Sequence, residues 1–527
     1  MGNSVKVANG EPLPGLLERN ASLSPLDRAV LFEDGTSWTH LESLREAYGS
    51  AEALFEMGIT QGSRIAIALP NGEDFLAIWW GATMLGAVIV PVNLAYRGDL
   101  LRTLLTRTSP ALLVADGAFT ASRSGLDTDV PIRMVRPGEL RHRRADPPSG
   151  YRSVGVWDTH ALMLTSGTTG PSKLVVLTYQ NTFFGGSVFF DTWECTQKDI
   201  FQVDMPLYHS GAFRFVHASL STRTQLAVKG RPDLDHYWEV ARDNGTTLAL
   251  LFGSTLSYLR SRPVRVVERE HGIRVVGAVP LPPDPEGFRR RFGIGNLHTA
   301  WGSTEVPAAT YLPEEVPLRS GSCGIQRPGF TVRVVDETDQ PLPDGQVGEA
   351  VVRTDLPWII THEYVDLPAE TSRAWRNGWF HTGDLMRRDA DGYLYFVDRA
   401  KDAVRRRGEN ISSFEVEQAV RTFPGVASVA CVAARQEAEA EDEVKVWVTS
   451  EPDVVLDFEE LLKHCVEKLP HFMVPRFFEL TATMPETHTG KVEKVRLRHL
   501  GNGPATWDRE EHGYRVTRHG LQRVGST

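Results

Sequence analysis

Apolar positions along the chain recur with two periods that replace one another at short intervals. Over residues 39–57, Leu41, Leu44, Ala47, Ala51 and Leu54 fall at helical spacing and predict an amphipathic helix. Ahead of it, residues 16–31 predict a helix and then a strand, with Ala29-Val30-Leu31-Phe32 apolar before Asp34-Gly35. Residues 63–69 read as a strand closed by the turn Pro70-Asn71-Gly72. Residues 75–92 carry no charge and are long enough to suggest a membrane span. Gly86, however, divides a helix-like half from the β-branched Val88-Ile89-Val90, and Pro91 follows. A buried helix, a glycine cap and a buried strand account for this stretch better. Further strands are predicted at 112–114, 248–252 and 275–277, alternating with helices to about residue 350. Such alternation predicts an α/β fold, a large N-terminal domain of mostly parallel sheets flanked by helices.

The pattern changes near Gly392. A strand at 393–397 leads into the charged run Asp398-Arg399-Ala400-Lys401-Asp402. A helix at 413–422, strands at 428–432 and 444–448, a helix at 458–468 and a last strand at 477–480 make a small α+β domain. The expected division is residues 1–398, a link at 399–403, and 404–500. Residues 1–12 are expected to be loosely attached, and 501–527, rich in Gly, Arg and His, to form a flexible tail.

A chain of 527 residues is too long for one core, in keeping with two domains. A net charge of −10 argues against a nucleic-acid partner, and the Arg-rich clusters at 141–144, 289–291 and 405–407 read as solvated faces. The cysteines Cys195, Cys323, Cys431 and Cys465 show neither metal spacing nor a disulfide framework, which fits a reducing cytoplasm. No signal peptide or membrane anchor is expected, and the chain could be a monomer or a homodimer.

The chemistry centres on Thr165-Ser166-Gly167-Thr168-Thr169-Gly170-Pro171-Ser172-Lys173, between the apolar runs Ala161-Leu162-Met163-Leu164 and Leu174-Val175-Val176-Leu177. A Ser/Thr/Gly loop between strands offers backbone N–H groups, hydroxyls and one ammonium to a polyanion, and its glycines let the backbone close around phosphate oxygens. It is not a Walker A loop, since Lys173 follows Ser172 rather than Gly. Taken alone it also fits an ordinary polar turn.

Ser166-Gly167-Thr168-Thr169-Gly170 with Lys173 resembles the phosphate loop of the acyl-AMP-forming superfamily, which includes acyl-CoA synthetases, peptide-synthetase adenylation domains and firefly luciferase. The resemblance runs from about Leu16 to Leu500 and is carried by further motifs in order. Pro206-Leu207-Tyr208-His209-Ser210 places His209 beside the acyl carboxylate, and no Asp stands between Pro206 and Gly211 to hold a substrate amine. Gly277-Ala278-Val279-Pro280 resembles the segment bordering adenine. Trp301-Gly302-Ser303-Thr304-Glu305 resembles the aromatic-Gly-x-Thr-Glu motif, where the ring stacks on adenine, Thr304 lies near the α-phosphate, and Glu305, with Thr168, takes Mg²⁺. Ser303 is expected to line the acyl pocket, with His298 and Thr299 just upstream, which points to a polar acid.

Trp379-Phe380-His381-Thr382-Gly383-Asp384 places Asp384 on the ribose hydroxyls, with Arg399 joining it. Lys401 takes the hinge position, which makes the C-terminal domain a mobile one, and Gly408 corresponds to a glycine beside the pantetheine of CoA. The wording around Gly408-Glu409-Asn410 is closest to crotonobetaine/carnitine-CoA ligases. Lys491, after Thr489-Gly490, corresponds to the catalytic lysine. Leu174, Tyr179 and Val279 depart from the usual Gly, His and Ala, and could reshape the nucleotide or acceptor side. The resemblance implies ATP, Mg²⁺ and CoA, and ATP-dependent adenylation of a small or polar carboxylic acid followed by transfer to CoA. The alternative is an adenylate-forming enzyme with a non-CoA acceptor, such as ATP-dependent activation of nitrite for diazotization or N–N bond formation in secondary metabolism. A catalytically dead scaffold and a luciferase-like oxygenase are less consistent with the residues.

Overall fold

The computed structural model describes residues 10–94, 96, 98–121, 132–134, 136, 138–165, 173–230, 232–399, 404–406, 409–411, 413–435, 442–469, 471, 473–486, 492–517 and 520–523. Two sheets dominate the large domain. One has seven strands in the order Asn296–His298, Val275–Val279, Leu248–Phe252, Ile200–Val203, Gln225–Val228, Arg28–Phe32 and Ser37–Thr39, and only the last pairs antiparallel. The other has six, Ile132–Met134, Leu112–Ala115, Arg64–Ala68, Val88–Pro91, Thr159–Leu164 and Leu174–Thr178, again parallel but for the final pair. Strands such as Val88–Pro91 and Leu112–Ala115 are buried along their whole length, as parallel strands covered on both faces must be.

The uncharged stretch at 75–92 divides as expected. The helix Glu73–Met84 is buried on nearly every side, Gly86 takes a φ of +69°, and the strand Val88–Pro91 follows. No helix among the described residues is long and apolar enough to cross a membrane. The predicted helix at 39–57 runs His40–Glu56. Thr39 is its N-cap, and its hydroxyl and the Glu42 carboxylate form a capping box.

Strand–helix alternation stops at His298, earlier than expected. The strands Phe330–Val335, Val347–Thr354, Phe380–Arg388 and Leu394–Arg399 form a separate antiparallel sheet. Phe330–Val335 alternates between buried and more exposed positions, the pattern of a sheet with one wet face.

The small domain has its own core, built from the helices Ser413–Arg421 and Phe458–Lys468 and the strands Val426–Arg435, Asp442–Ser450 and Phe477–Leu480. The expected flexible tail is instead folded over residues 501–517. Trp507–Asp508 adds a strand beside Phe477–Leu480, Tyr514 is buried, and Tyr514–Thr517 pairs with Gly520–Arg523. Composition misled here because polar groups of the segment find partners in the small domain: Asp508 is held by Arg476, and the buried Arg509 donates to Val474 O. At the other end Gly10 is buried and Glu11 O contacts His217 Nε2, so residues 10 and 11 are attached, inside the stretch expected to be loose.

Candidate active site

The strands Thr159–Leu164 and Leu174–Thr178 pair antiparallel, and Thr165 N–H donates to Lys173 O at 2.8 Å, closing the neck of the loop between them. Ser166, Gly167, Thr168, Thr169 and Gly170 lie outside the described residues, as do Lys401, Gly408 and Lys491. From the neck, Lys173 Nζ sits 4.5 Å from the centre of the Tyr364 ring and 3.2 Å from a Glu370 carboxylate oxygen. Tyr364 in turn donates its hydroxyl to Glu305 Oε1 at 3.0 Å, while Ser303 Oγ donates to Oε2 at 2.9 Å. Burial and the neighbouring Glu305 push the Tyr364 phenol up, so it remains a donor. Thr304 Oγ1 lies 3.4 Å from Ser210 Oγ, at the first turn of the helix Ser210–Thr222, whose N-cap is His209. Lys173, Glu305, Thr304 and His209 are thus brought to one place by contacts between different elements.

A second group gathers at the start of the same 301–305 loop, around Trp301. Trp301 donates its indole N–H to Asp384 Oδ2 at 2.9 Å, and Arg399 Nε lies 2.8 Å from Oδ1. Asp384 and Arg399 are cross-strand partners, so the sheet itself sets this pair. Gly302 has no room for a side chain, since a Cβ would come within 2.6 Å of Ala308 N. Gly277 and Ala278 are buried within the strand Val275–Val279, and a Cβ on Gly277 would lie 2.8 Å from Leu250. Val279 ends that strand at its carboxyl side, half-buried, where ligands of open parallel sheets gather.

Several expected roles change. Ser303 does not offer a free hydroxyl to an acyl pocket, because it is engaged with Glu305 and receives Val306 N–H. His298 is buried, hydrogen-bonded to Leu312 O at 2.8 Å, and lines a cavity of about 440 Å³ with Trp193, Arg274, Arg289 and Glu314. Leu174 and Tyr179 are both core residues, and Tyr179 stacks on His160 at 4.2 Å.

The sequence reading missed Tyr364, Glu370, Asn181 and Arg214. Arg214 is buried on the helix Ser210–Thr222 and donates to Ser303 O, Thr304 O and Asn181 Oδ1 at 2.7–2.8 Å. Its signal was present in the sequence as one arginine in the apolar run Ala212-Phe213-Arg214-Phe215-Val216, opposite the adjacent Gly185 and Gly186.

The donor set suits a nucleotide with a hard cation. Each Glu305 oxygen accepts one hydrogen bond from a neutral hydroxyl and keeps lone pairs for a cation. Lys173 and Arg399, both near Tyr364, supply positive charge.

Two families match the chain, one described as AMP-binding enzyme over residues 17–364, the other as AMP-binding enzyme C-terminal domain over residues 415–491. The chain is 26% identical over 473 residues to the crotonobetaine/carnitine–CoA ligase of Salmonella agona (strain SL483), covering 85% of this chain and 90% of that one. It is equally similar, over 485 residues, to the enzyme of the same name from Shigella dysenteriae serotype 1 (strain Sd197), covering 88% and 93%. Among solved structures, ATP-bound MatB from Rhodopseudomonas palustris superposes with a TM-score of 0.81 at 23% identity, covering 93% of this chain and 99% of that one. O-succinylbenzoate coenzyme A synthetase from Bacillus subtilis, in complex with AMP, gives 0.82 at 22% identity, with coverage of 94% and 99%. At these identities the two structures bear on the fold.

Proposed function

The chain belongs to the AMP-binding enzyme family and is an AMP-forming enzyme of the acyl-CoA synthetase type; from that premise we propose that it adenylates a small or polar carboxylic acid and transfers the acyl group to CoA. The observation that carries the proposal is the convergence of Lys173, Tyr364, Glu305, Thr304 and His209 at the end of the 301–305 loop, with Trp301, Asp384 and Arg399 grouped at its start. The first group suits a triphosphate and a carboxylate, the second a nucleoside.

In the first half-reaction an oxygen of the acid attacks the α-phosphorus of ATP, the bond to the β-phosphate oxygen breaks, and pyrophosphate leaves. Bound Mg²⁺ supplies charge neutralisation for the phosphates. Lys173 holds phosphate oxygens, and Asp384 accepts from the ribose hydroxyls while Arg399 and Trp301 orient it. Lys491 is assigned to the attacking and α-phosphate oxygens, as the family pattern suggests. In the second half-reaction the thiol of CoA attacks the acyl carbon, its proton is lost, and AMP leaves. His209, at the N-cap of its helix, is assigned to that entry side, and Gly408 to the pantetheine. Swinging of the small domain about Lys401 would exchange Lys491 for Gly408 between the two steps. The names of the relatives support CoA as acceptor. A short acid is supported by Val279, half-buried at the carboxyl end of its strand.

The test is pyrophosphate release from ATP·Mg²⁺ across a panel of carboxylic acids, with nitrite as one well, with and without CoA. We expect release with a short or polar acid, product thioester with CoA, and loss of at least about 10²-fold in Lys491→Ala. Release with nitrite alone would replace this reading with nitrogen–nitrogen chemistry. Undiminished AMP formation by Lys491→Ala would remove the mechanism.

A further inference from the structure

Arg214 is 6% exposed, and among the described residues no carboxylate bonds to it. A buried cation that no carboxylate touches is costly, and an apolar side chain of similar size would fill the same space more cheaply. The surrounding helices are shaped to admit it. A Cβ on Gly185 would lie 2.3 Å from Arg214 Cδ, and one on Gly186 2.5 Å from Arg214 O and 2.6 Å from Ala218 Cβ. Two glycines inside the helix Tyr179–Thr192 forgo helix propensity and let the two helices close on the arginine. Burial lowers the guanidinium and the charge of Glu305 partly offsets this, leaving it at about 10, still a cation at neutral pH.

The fork of the guanidinium has a specific target. Nη1 donates to Ser303 O at 2.8 Å and Nη2 to Thr304 O at 2.7 Å. Nη2 also reaches Asn181 Oδ1 at 2.8 Å, and Asn181 Nδ2 donates to Ile359 O at 2.6 Å and approaches Glu305 O at 3.4 Å. Three successive carbonyls, those of 303, 304 and 305, are therefore held from below by two side chains of the paired helices. The Thr304 and Glu305 side chains emerge from that backbone toward Ser210 and Tyr364. Resting on the adenylation reading above, we propose that Arg214 is a positioning residue: from beneath the loop, it sets where the Glu305 carboxylate and Thr304 hydroxyl meet the metal–nucleotide. A lysine in its place would present one point of charge and could not span two carbonyls in a plane.

The test is Mn²⁺ binding in the presence of α,β-methylene-ATP, followed by the resonance of free Mn²⁺, in the full chain carrying Arg214→Met, Arg214→Lys, Glu305→Gln and the Met/Gln double substitution. We expect Glu305→Gln and Arg214→Met each to weaken Mn²⁺ at least tenfold. Arg214→Lys should recover part of the loss, and Arg214→Met should cost less than threefold once Glu305 is already Gln. Equal factors in the two backgrounds, or wild-type Mn²⁺ affinity in Arg214→Met, would overturn the inference while leaving the adenylation reading in place. A wild-type chain that binds no Mn²⁺–analogue complex, or a Glu305→Gln variant that binds it normally, would overturn both. If Arg214→Met does not fold, as judged by its thermal melt, Arg214→Lys and Asn181→Leu carry the same cycle. Asn181→Leu is then expected to weaken Mn²⁺ at least threefold with Glu305 present and not in its absence, and any other result overturns the inference.

Discussion

At the scale of single residues, the adjacent buried histidines His160 and His217 are kept neutral. Trp79 donates its indole N–H to His160 Nε2 at 2.9 Å, so His160 carries its proton on Nδ1 and donates to Thr182 Oγ1 at 2.8 Å. His217 Nε2 donates to Glu11 O, which leaves Nδ1 to accept from the Thr182 hydroxyl at 2.9 Å. Every ring nitrogen is satisfied without a charge. Burial holds His217 down to about 3, and burial with the neighbouring His217 holds His160 well below the usual histidine value. The unfolded chain binds these protons below about pH 6.5 and the folded chain does not, so stability is complete above that pH and falls as pH drops toward 3. At pH 5 His217 costs about 2 kcal/mol, and His160 adds a cost of the same sign. The urea midpoint should fall clearly between pH 7.5 and pH 5, and fall less in His217→Asn. An unchanged midpoint would contradict the neutral pair. The same scale explains why Tyr364 escaped the sequence reading: its contact with Glu305 spans 59 residues, and nothing local marks it.

Elements behave as their periodicity suggested wherever their packing is local. The helix Phe458–Lys468 and the strand Phe477–Leu480 occur at the limits read from the pattern, because their apolar spacing matches one buried face. The helix pair Tyr179–Thr192 and Ser210–Thr222 is different, since both are buried on most sides and the pattern carries no facing direction. Their contact is decided by Gly185 and Gly186 against Arg214. Gly185→Ala should therefore destabilise the large domain by about 1–3 kcal/mol, read from a denaturant titration, despite the better helix propensity of alanine. A gain in stability would mean that the helices have slack at this crossing.

For the molecule as a whole, the last segment is structural. Lys445 is buried and donates to Glu479 Oε2 at 2.6 Å, Gly501 O at 2.5 Å and Thr506 Oγ1 at 3.1 Å. Truncation after Leu500 would strip two of these acceptors and the strand Trp507–Asp508. With each orphaned buried group costing about 1–3 kcal/mol, limited proteolysis should then cleave the small domain first. A truncated chain as resistant as the full one would refute this. By itself the sequence determined the α/β class, the place of the second domain, the order of the motifs and the glycine cap at 86, because each depends on residues near one another in the chain. Asp384 and Arg399 were also legible, being adjacent motif positions that the sheet makes neighbours. Only the tertiary structure decided that Tyr364 meets Glu305 and Glu370 meets Lys173, that Ser303 bonds Glu305, that Arg214 bonds the Ser303 and Thr304 carbonyls, and that residues 501–517 fold. Those outcomes depend on which distant side chains a buried polar group can reach, and a buried polar group has to reach some partner.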